Sequence, residues 1–234
     1  MSYAAFYHSF IQHPLLLWAA ALLGLWIALS RRGLSSSVRW FCLALASLSV
    51  LDAWLTSNQV LGIGPLRGAA ASFVPLAFVL IGDFRYFLFV ESARSDGRIT
   101  VGRKGLARAC AWTLLVPLSA QLVVTAVGSA EPRVLFFVYE VLFVLVSVSV
   151  AALYLPSHSD ALRWTQSVTL FVLGYYGLWA TADAILLGTG ADAGFLLRVL
   201  PTALYYGGLG PVIALTAPLS LREPSRRHSH QPSD

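Results

Sequence analysis

Charge is what this chain has least of. Asp, Glu, Lys and Arg make up 12% of its 234 residues, with a mean hydropathy of +0.72, against roughly 25% charged residues in ordinary soluble domains. That scarcity excludes a globular enzyme with a greasy core and implies a polytopic membrane protein. Lysine occurs once, at Lys104, between two apolar segments. With no lysine inside a helix there is no Schiff base to retinal or pyridoxal phosphate, and no cofactor is expected. The two cysteines, Cys42 and Cys110, have no metal-ligand spacing and read as reduced packing residues. Neither a bis-histidine pattern for haem nor a nucleotide-binding glycine loop is present. No histidine lies at membrane depth to activate a serine, so an enzyme is the class least favoured. The first apolar run is followed, not preceded, by its arginines, which makes it a retained helix and not a signal peptide.

What is present is length in apolar runs. About 20 such residues are needed to cross roughly 30 Å of hydrocarbon, and seven segments reach it: 12–30, 38–60, 70–92, 107–127, 134–155, 165–187 and 195–219. Short connections rich in Gly, Pro, Ser and charge join them. The expectation is an all-α bundle of seven transmembrane helices forming a single domain over 1–221, followed by a disordered tail over 222–234. Alternate connections divide the basic residues unequally. Arg31, Arg32, Arg39, Arg94, Arg98, Arg103, Lys104, Arg108, Arg163, Arg222, Arg226 and Arg227 fall on one side, and only Arg67, Arg133 and Arg198 on the other. By the positive-inside rule the first set is cytoplasmic, so the amino terminus lies outside and the carboxyl terminus inside, in the plasma membrane. The positive charge is thus topogenic, and no nucleic-acid partner is expected. His8 and His13, and His228 and His230 in the tail, read as solvated residues without a metal role.

Against this background each buried charge is costly and marks a site. The densest stretch is Gly82 to Glu91 in the third segment, where Asp83, Phe87 and Glu91 recur every four residues on one face. Arg85 lies roughly 200° round the helix from Asp83 and is expected either to find its partner on a neighbouring helix or to snorkel to the inner interface. Ser49, Asp52, Thr56 and Gln59 line one face of the second segment. Glu140 follows Tyr139 in the fifth, with Ser147 seven residues on. Tyr175, Tyr176, Trp179 and Asp183 run along the sixth. In the seventh, Arg198 precedes Pro201, expected to kink the helix, and then Tyr205 and Tyr206. Trp40, Trp112 and Trp164 read as interface anchors.

Topology of this kind is shared with microbial rhodopsins, whose helix 7 lysine is missing here. It is shared too with G-protein-coupled receptors, whose acidic-Arg-Tyr triplet appears only interrupted, as Asp83-Phe84-Arg85-Tyr86, and whose Asn-Pro-x-x-Tyr motif has no counterpart in Pro201 and Tyr205. Membership in neither is indicated. Leu51-Asp52-Ala53 in helix 2 is echoed by Ala182-Asp183-Ala184 in helix 6, and Pro75 by Pro201. The echo is similar to the 3+1+3 parallel repeat of small sugar transporters of the SWEET type, without the Pro-Gln pairs of that family's relatives.

The residues therefore point to a central acidic and aromatic pocket that binds and transports a small polar or cationic solute, with proton coupling. Asp52, Asp83, Glu140 and Asp183 are the titrating or cation-binding groups, Arg85 their counter-charge, and Tyr175, Tyr176, Trp179 and Tyr205 the walls. The alternative is a sensory or accessory subunit that docks a cytoplasmic protein partner through its basic 92–108 loop, with the acids as a structural network. An intramembrane enzyme acting on lipid is third.

Overall fold

A computed structural model describes residues 14–56, 65–129 and 131–218. Helices α1 (Pro14–Ser30), α2 (Ser36–Thr56), α3 (Ala70–Ser92), α4 (Arg103–Val127), α5 (Pro132–His158), α6 (Leu162–Thr189), α7 (Ala193–Gly207) and α8 (Leu209–Thr216) make up the described chain, which contains no strand. Among the described residues five of them, α2 to α6, are long and apolar enough to cross a membrane, and the pair α7–α8, bent by 57°, passes the same test only when its two helices are taken together. This is a multi-pass helical membrane protein. Gln59, the four histidines His8, His13, His228 and His230, and the tail 222–234 lie outside the described residues, as does the side chain of Thr56.

Local chemistry sets most helix ends. At the end of α4, Gly128 takes a left-handed φ of 69°, so that its N–H and that of Ser129 turn back to the carbonyls of Thr125 and Val124, at 3.2 and 3.3 Å. Within α5, Pro156 has no N–H to give the carbonyl four residues earlier, and the preceding turn, Val150–Tyr154, widens to a π-helix. Between α3 and α4 the chain forms a tight hairpin, with Ala93 bridged to Ile99 and Gly97 at φ 74° closing the turn. The basic connection is therefore ordered over 93–100 and is not a loose loop.

The helices pack as a ring in sequence order, each against the next, and α7 closes the ring on α1. Helix α3 leans inward to touch α6, and α8 folds against α1, α2 and α6. Large apolar side chains point away from the ring, among them Trp26, Leu122, Leu153 and Leu170, as expected where lipid is the solvent. Inside, Phe143 stacks on Tyr176 with 3.8 Å between centroids, and Phe89 meets Trp164 edge-on at 5.0 Å.

Two expectations change. Trp164 is no interface anchor: it is buried, and its Nε1–H donates to the Ile213 carbonyl at 2.9 Å. Trp40 is exposed, as an anchor should be. The seventh segment does not bend at Pro201, which sits inside the continuous α7, but breaks by 57° between Gly207 and Leu209. The physical cause is Pro211, which withholds an N–H from the Gly207 carbonyl and presses its ring on it, next to two glycines with no side chains to brace the turn.

Candidate functional site: a buried charge network

Every candidate side chain with a charge is buried: Asp52, Asp83, Arg85, Glu140 and Asp183 are each less than a tenth exposed. Among the described residues they divide among separate sets of hydrogen-bond and ion-pair partners.

Asp83 occupies the centre. It is 1% exposed, and its two carboxylate oxygens accept hydrogen bonds from the hydroxyls of Tyr139 on α5 and Tyr176 on α6. One carboxyl group thus ties three helices. The place is made by the helix period: α3 turns Asp83, Phe87 and Glu91 inward together, and all three are buried.

Arg85 leaves α3 on another side and does find its partners on neighbouring helices. Its Nη1 donates to Ser49 Oγ on α2 at 2.8 Å, and its guanidinium carbon lies 4.8 Å from the centre of the Tyr205 ring on α7. Asp52 and Asp83 both attract it electrostatically, yet among the described residues it forms no ion pair with either. Tyr205 is fixed from its other end, its hydroxyl donating to the Phe78 carbonyl at 3.1 Å. Gly82 makes this approach possible, because a Cβ there would overlap the Tyr205 ring. Asp52 accepts from the Tyr206 hydroxyl at 2.9 Å. Beside Arg85 a cavity of about 10 Å³, bordered by Gly24, Cys42, Ser49, Tyr205 and Gly207, has room for about one water molecule.

A second cluster joins α5, α6 and α7. Arg198 Nη1 donates to Asp183 Oδ1 and lies 3.4 Å from Glu140 Oε1. Trp179 packs between the clusters, at 5.5 Å from both Tyr175 and Tyr205, with its Nε1–H 3.4 Å from Thr202 Oγ1. Tyr175 is buried among Tyr176, Trp179 and Tyr205 and acts as packing within the network. Toward the other end of α3, Glu91 pairs with Arg108 on α4 at 2.6 Å and accepts from Tyr154, the last residue of the π-helical turn, at 2.8 Å.

Sequence reasoning singled out the four acids, Arg85 and two of their six partners, Tyr176 and Tyr205. Tyr139, Tyr206, Arg198 and Ser49 belong to the network and stood outside the candidate set. Each has a signal in the sequence: Ser49 shares a helix face with Asp52, Tyr139 adjoins Glu140, Tyr206 adjoins Tyr205, and Arg198 is an isolated cation near the start of the last apolar run.

The stoichiometry of charge decides what the site can do. Among the described residues, Asp52 and Asp83 both attract Arg85, while Glu140 and Asp183 both meet Arg198. Glu91 and Arg108 are matched one to one. Acids that meet at a shared guanidinium, shielded from water, are groups on which a proton or a cation is favoured. Fold and site together define a multi-pass helical membrane protein with a closed intramembrane network of acids, arginines and tyrosines. Compared with family models, curated proteins and solved structures, the chain matches none.

Proposed function

We propose that this chain is a seven-span plasma-membrane protein, amino terminus outside and carboxyl terminus cytoplasmic, that couples the movement of a small polar or cationic solute to protons bound at its intramembrane carboxylates. Helix α1 supplies the seventh span: its 17 residues extend about 26 Å at 1.5 Å per residue. The observation that carries the reading is Asp83, a buried carboxylate to which α5 and α6 are both tied through tyrosine hydroxyls.

A proton on Asp83 removes the anion that both hydroxyls serve and costs the charge-assisted part of each bond. The hold of α3 on α5 and α6 then weakens. Arg85, released from the pull of Asp83, is drawn toward Asp52 on α2. The described arrangement is the closed form, in which tyrosines occupy the carboxylates that a cationic solute meets in the open one. The experiment is purified protein in proteoliposomes carrying a pH-sensitive dye inside, exposed to panels of small amines, cations and sugars under an imposed pH gradient. Wild type gives solute-dependent proton movement, and Asp83→Asn reduces it at least tenfold. Wild type that moves neither protons nor solute under any gradient overturns transport.

A second reading draws on the ordered hairpin at 93–100. Ser35 Oγ donates to the Gly97 carbonyl at 2.8 Å and the Ile99 N–H donates to Ser37 Oγ at 3.0 Å, so the hairpin is clamped to the start of α2 while Arg98, Arg103 and Lys104 stay exposed. A rigid basic surface fits an acidic cytoplasmic protein. Inert proteoliposomes together with a soluble protein that co-purifies with wild type, and is lost when those three residues become Ala, favour that sensory or accessory role. The lipid-enzyme reading gains nothing from the geometry. His158, the one histidine among the described residues, stacks on Tyr154 at 4.3 Å and turns its Nδ1 to that residue's own carbonyl oxygen, not to the hydroxyl of either flanking serine, Ser157 or Ser159.

A further inference from the structure

The cluster joining α5, α6 and α7 contains an unsatisfied pair. Glu140 and Asp183 meet the same nitrogen of Arg198, Nη1, each through one oxygen. The second oxygen of each, Glu140 Oε2 and Asp183 Oδ2, is buried and has no hydrogen-bond partner among the described residues. Glu140 is 4% exposed and Asp183 not at all. A buried carboxylate oxygen left bare costs as much as a lost hydrogen bond or more, and here two are bare on groups that already share one positive charge.

We infer that Glu140 and Asp183 share a single proton, held as an O–H···O bond between Oε2 and Oδ2. One proton supplies the missing donor, satisfies both bare oxygens and brings the cluster to neutrality beside Arg198. No covalent bond to carbon changes: the proton comes from water on the outer side and returns to it.

The surrounding charges leave the pair to itself. On α5 the neighbouring Tyr139 is turned to Asp83. On α6 Tyr176 is turned to the same group. On α7 the facing charge is Arg198. On helix α4, also packed against α5, the ionisable residues Arg103, Lys104, Arg108 and Cys110 all lie in the first eight positions, and none occurs from Ala111 to Val127. Arg133, at the start of α5, sits 5.0 Å over the Phe195 ring. A metal ion is a poorer occupant than a proton, because the guanidinium already fills the cationic place between the carboxylates.

The inference deepens the proton-coupled reading by assigning it a second site at the far end of α6 and α7. Loss of the shared proton leaves two anions on one guanidinium, and their repulsion parts α5 from α6. The test is independent of transport. Infrared difference spectra of the protein in lipid nanodiscs, at equilibrium and without any gradient, report protonated carboxyl groups by their C=O stretch. Glu140→Gln and Asp183→Asn each leave one carboxylate to one guanidinium, so either substitution alone abolishes the same protonated-carboxyl band. Asp83→Asn leaves that band in place. Gln and Asn amides still donate to the remaining carboxylate, so both single variants fold, as a thermal unfolding curve verifies. A band that survives in either single variant, or that wild type lacks, overturns the shared proton. A band that behaves as expected in a protein that moves no solute leaves the shared proton standing and removes the transport function alone.

Discussion

Asp83 concentrates the logic of the molecule in a single side chain. A carboxylate in the middle of a bilayer-spanning bundle survives because protein donors replace water, here the hydroxyls of Tyr139 and Tyr176. Either tyrosine alone still gives the anion one donor, so Tyr139→Phe and Tyr176→Phe each cost about 1 kcal/mol, the usual scale for an interhelical hydrogen bond in a membrane. Removing both leaves Asp83 with no side-chain donor from α5 or α6. The double variant is therefore expected to lose more than the sum, by about 1–2 kcal/mol, a coupling that a double-mutant cycle of thermal unfolding in one detergent measures directly. Strict additivity means the two hydroxyls do not act on one group. This residue was legible in the sequence because a carboxylate inside an apolar run is expensive wherever it lies. Its tyrosines were less so: a tyrosine is equally at home at the lipid interface and in a core, and only the three-dimensional partner of its hydroxyl decides. Trp164 shows the same ambiguity, since an indole near a helix start fits an interface anchor until its N–H is seen to reach Ile213 across the bundle.

At the scale of elements, the break between α7 and α8 and the contact of α7 with α1 are one device. A Cβ added at Gly207 would run into the backbone of Ala20, and one added at Gly24 would run into the Gly207 carbonyl, so the two helices touch backbone to backbone. The broken end then turns inward, where Arg31 donates to the Ala217 carbonyl at 3.3 Å and to that of Ala214, placing a cation on the free carbonyls of α8. Gly24→Val and Gly207→Val each force α1 away from α7 and are expected to cost about 1–3 kcal/mol by overpacking, a fall in unfolding temperature of about 2–4 °C per kcal/mol for a chain of this size. Gly174→Val, on α6 where a Cβ meets open space, is the control and leaves the midpoint unchanged. An equal fall at all three sites removes the close-contact argument. The long apolar helices α2 to α6 were legible as candidate spans, because bilayer thickness imposes a length that composition reveals. The seventh segment was misread in its shape because two prolines compete to bend it. Only the one whose missing N–H falls on a glycine pair does so, and that depends on α1 lying near enough to make use of the gap.

The whole molecule has a polarity that its connections reveal. The turn after α1, the hairpin after α3, the turn after α5 and the end of α8 all meet: Ser35 and Ser37 hold Gly97 and Ile99, Ser95 lies 3.5 Å from Asp160, and Arg31 reaches Ala217. Arg31, Arg32, Arg39, Arg94, Arg98, Arg103, Lys104, Arg108 and Arg163 therefore gather at one end of the bundle, as the alternation of basic connections anticipates. Nothing in the apolar runs could have shown that this end is tied together by serine hydroxyls, since short polar residues there fit a loose loop as well as a clasp. Its position relative to the membrane is open to direct measurement. In a background with Cys42 and Cys110 replaced by Ala, a cysteine at Ser95 samples the basic end and one at Ala191, an exposed residue between α6 and α7, samples the other. A membrane-impermeant maleimide applied to intact cells is expected to label Ala191→Cys, and to reach Ser95→Cys only after the cells are opened. The reverse pattern inverts the orientation. Labelling of both from outside puts the two ends on one face, which no odd number of spans between them allows, and with it the seven-span arrangement and the cytoplasmic basic surface both fall.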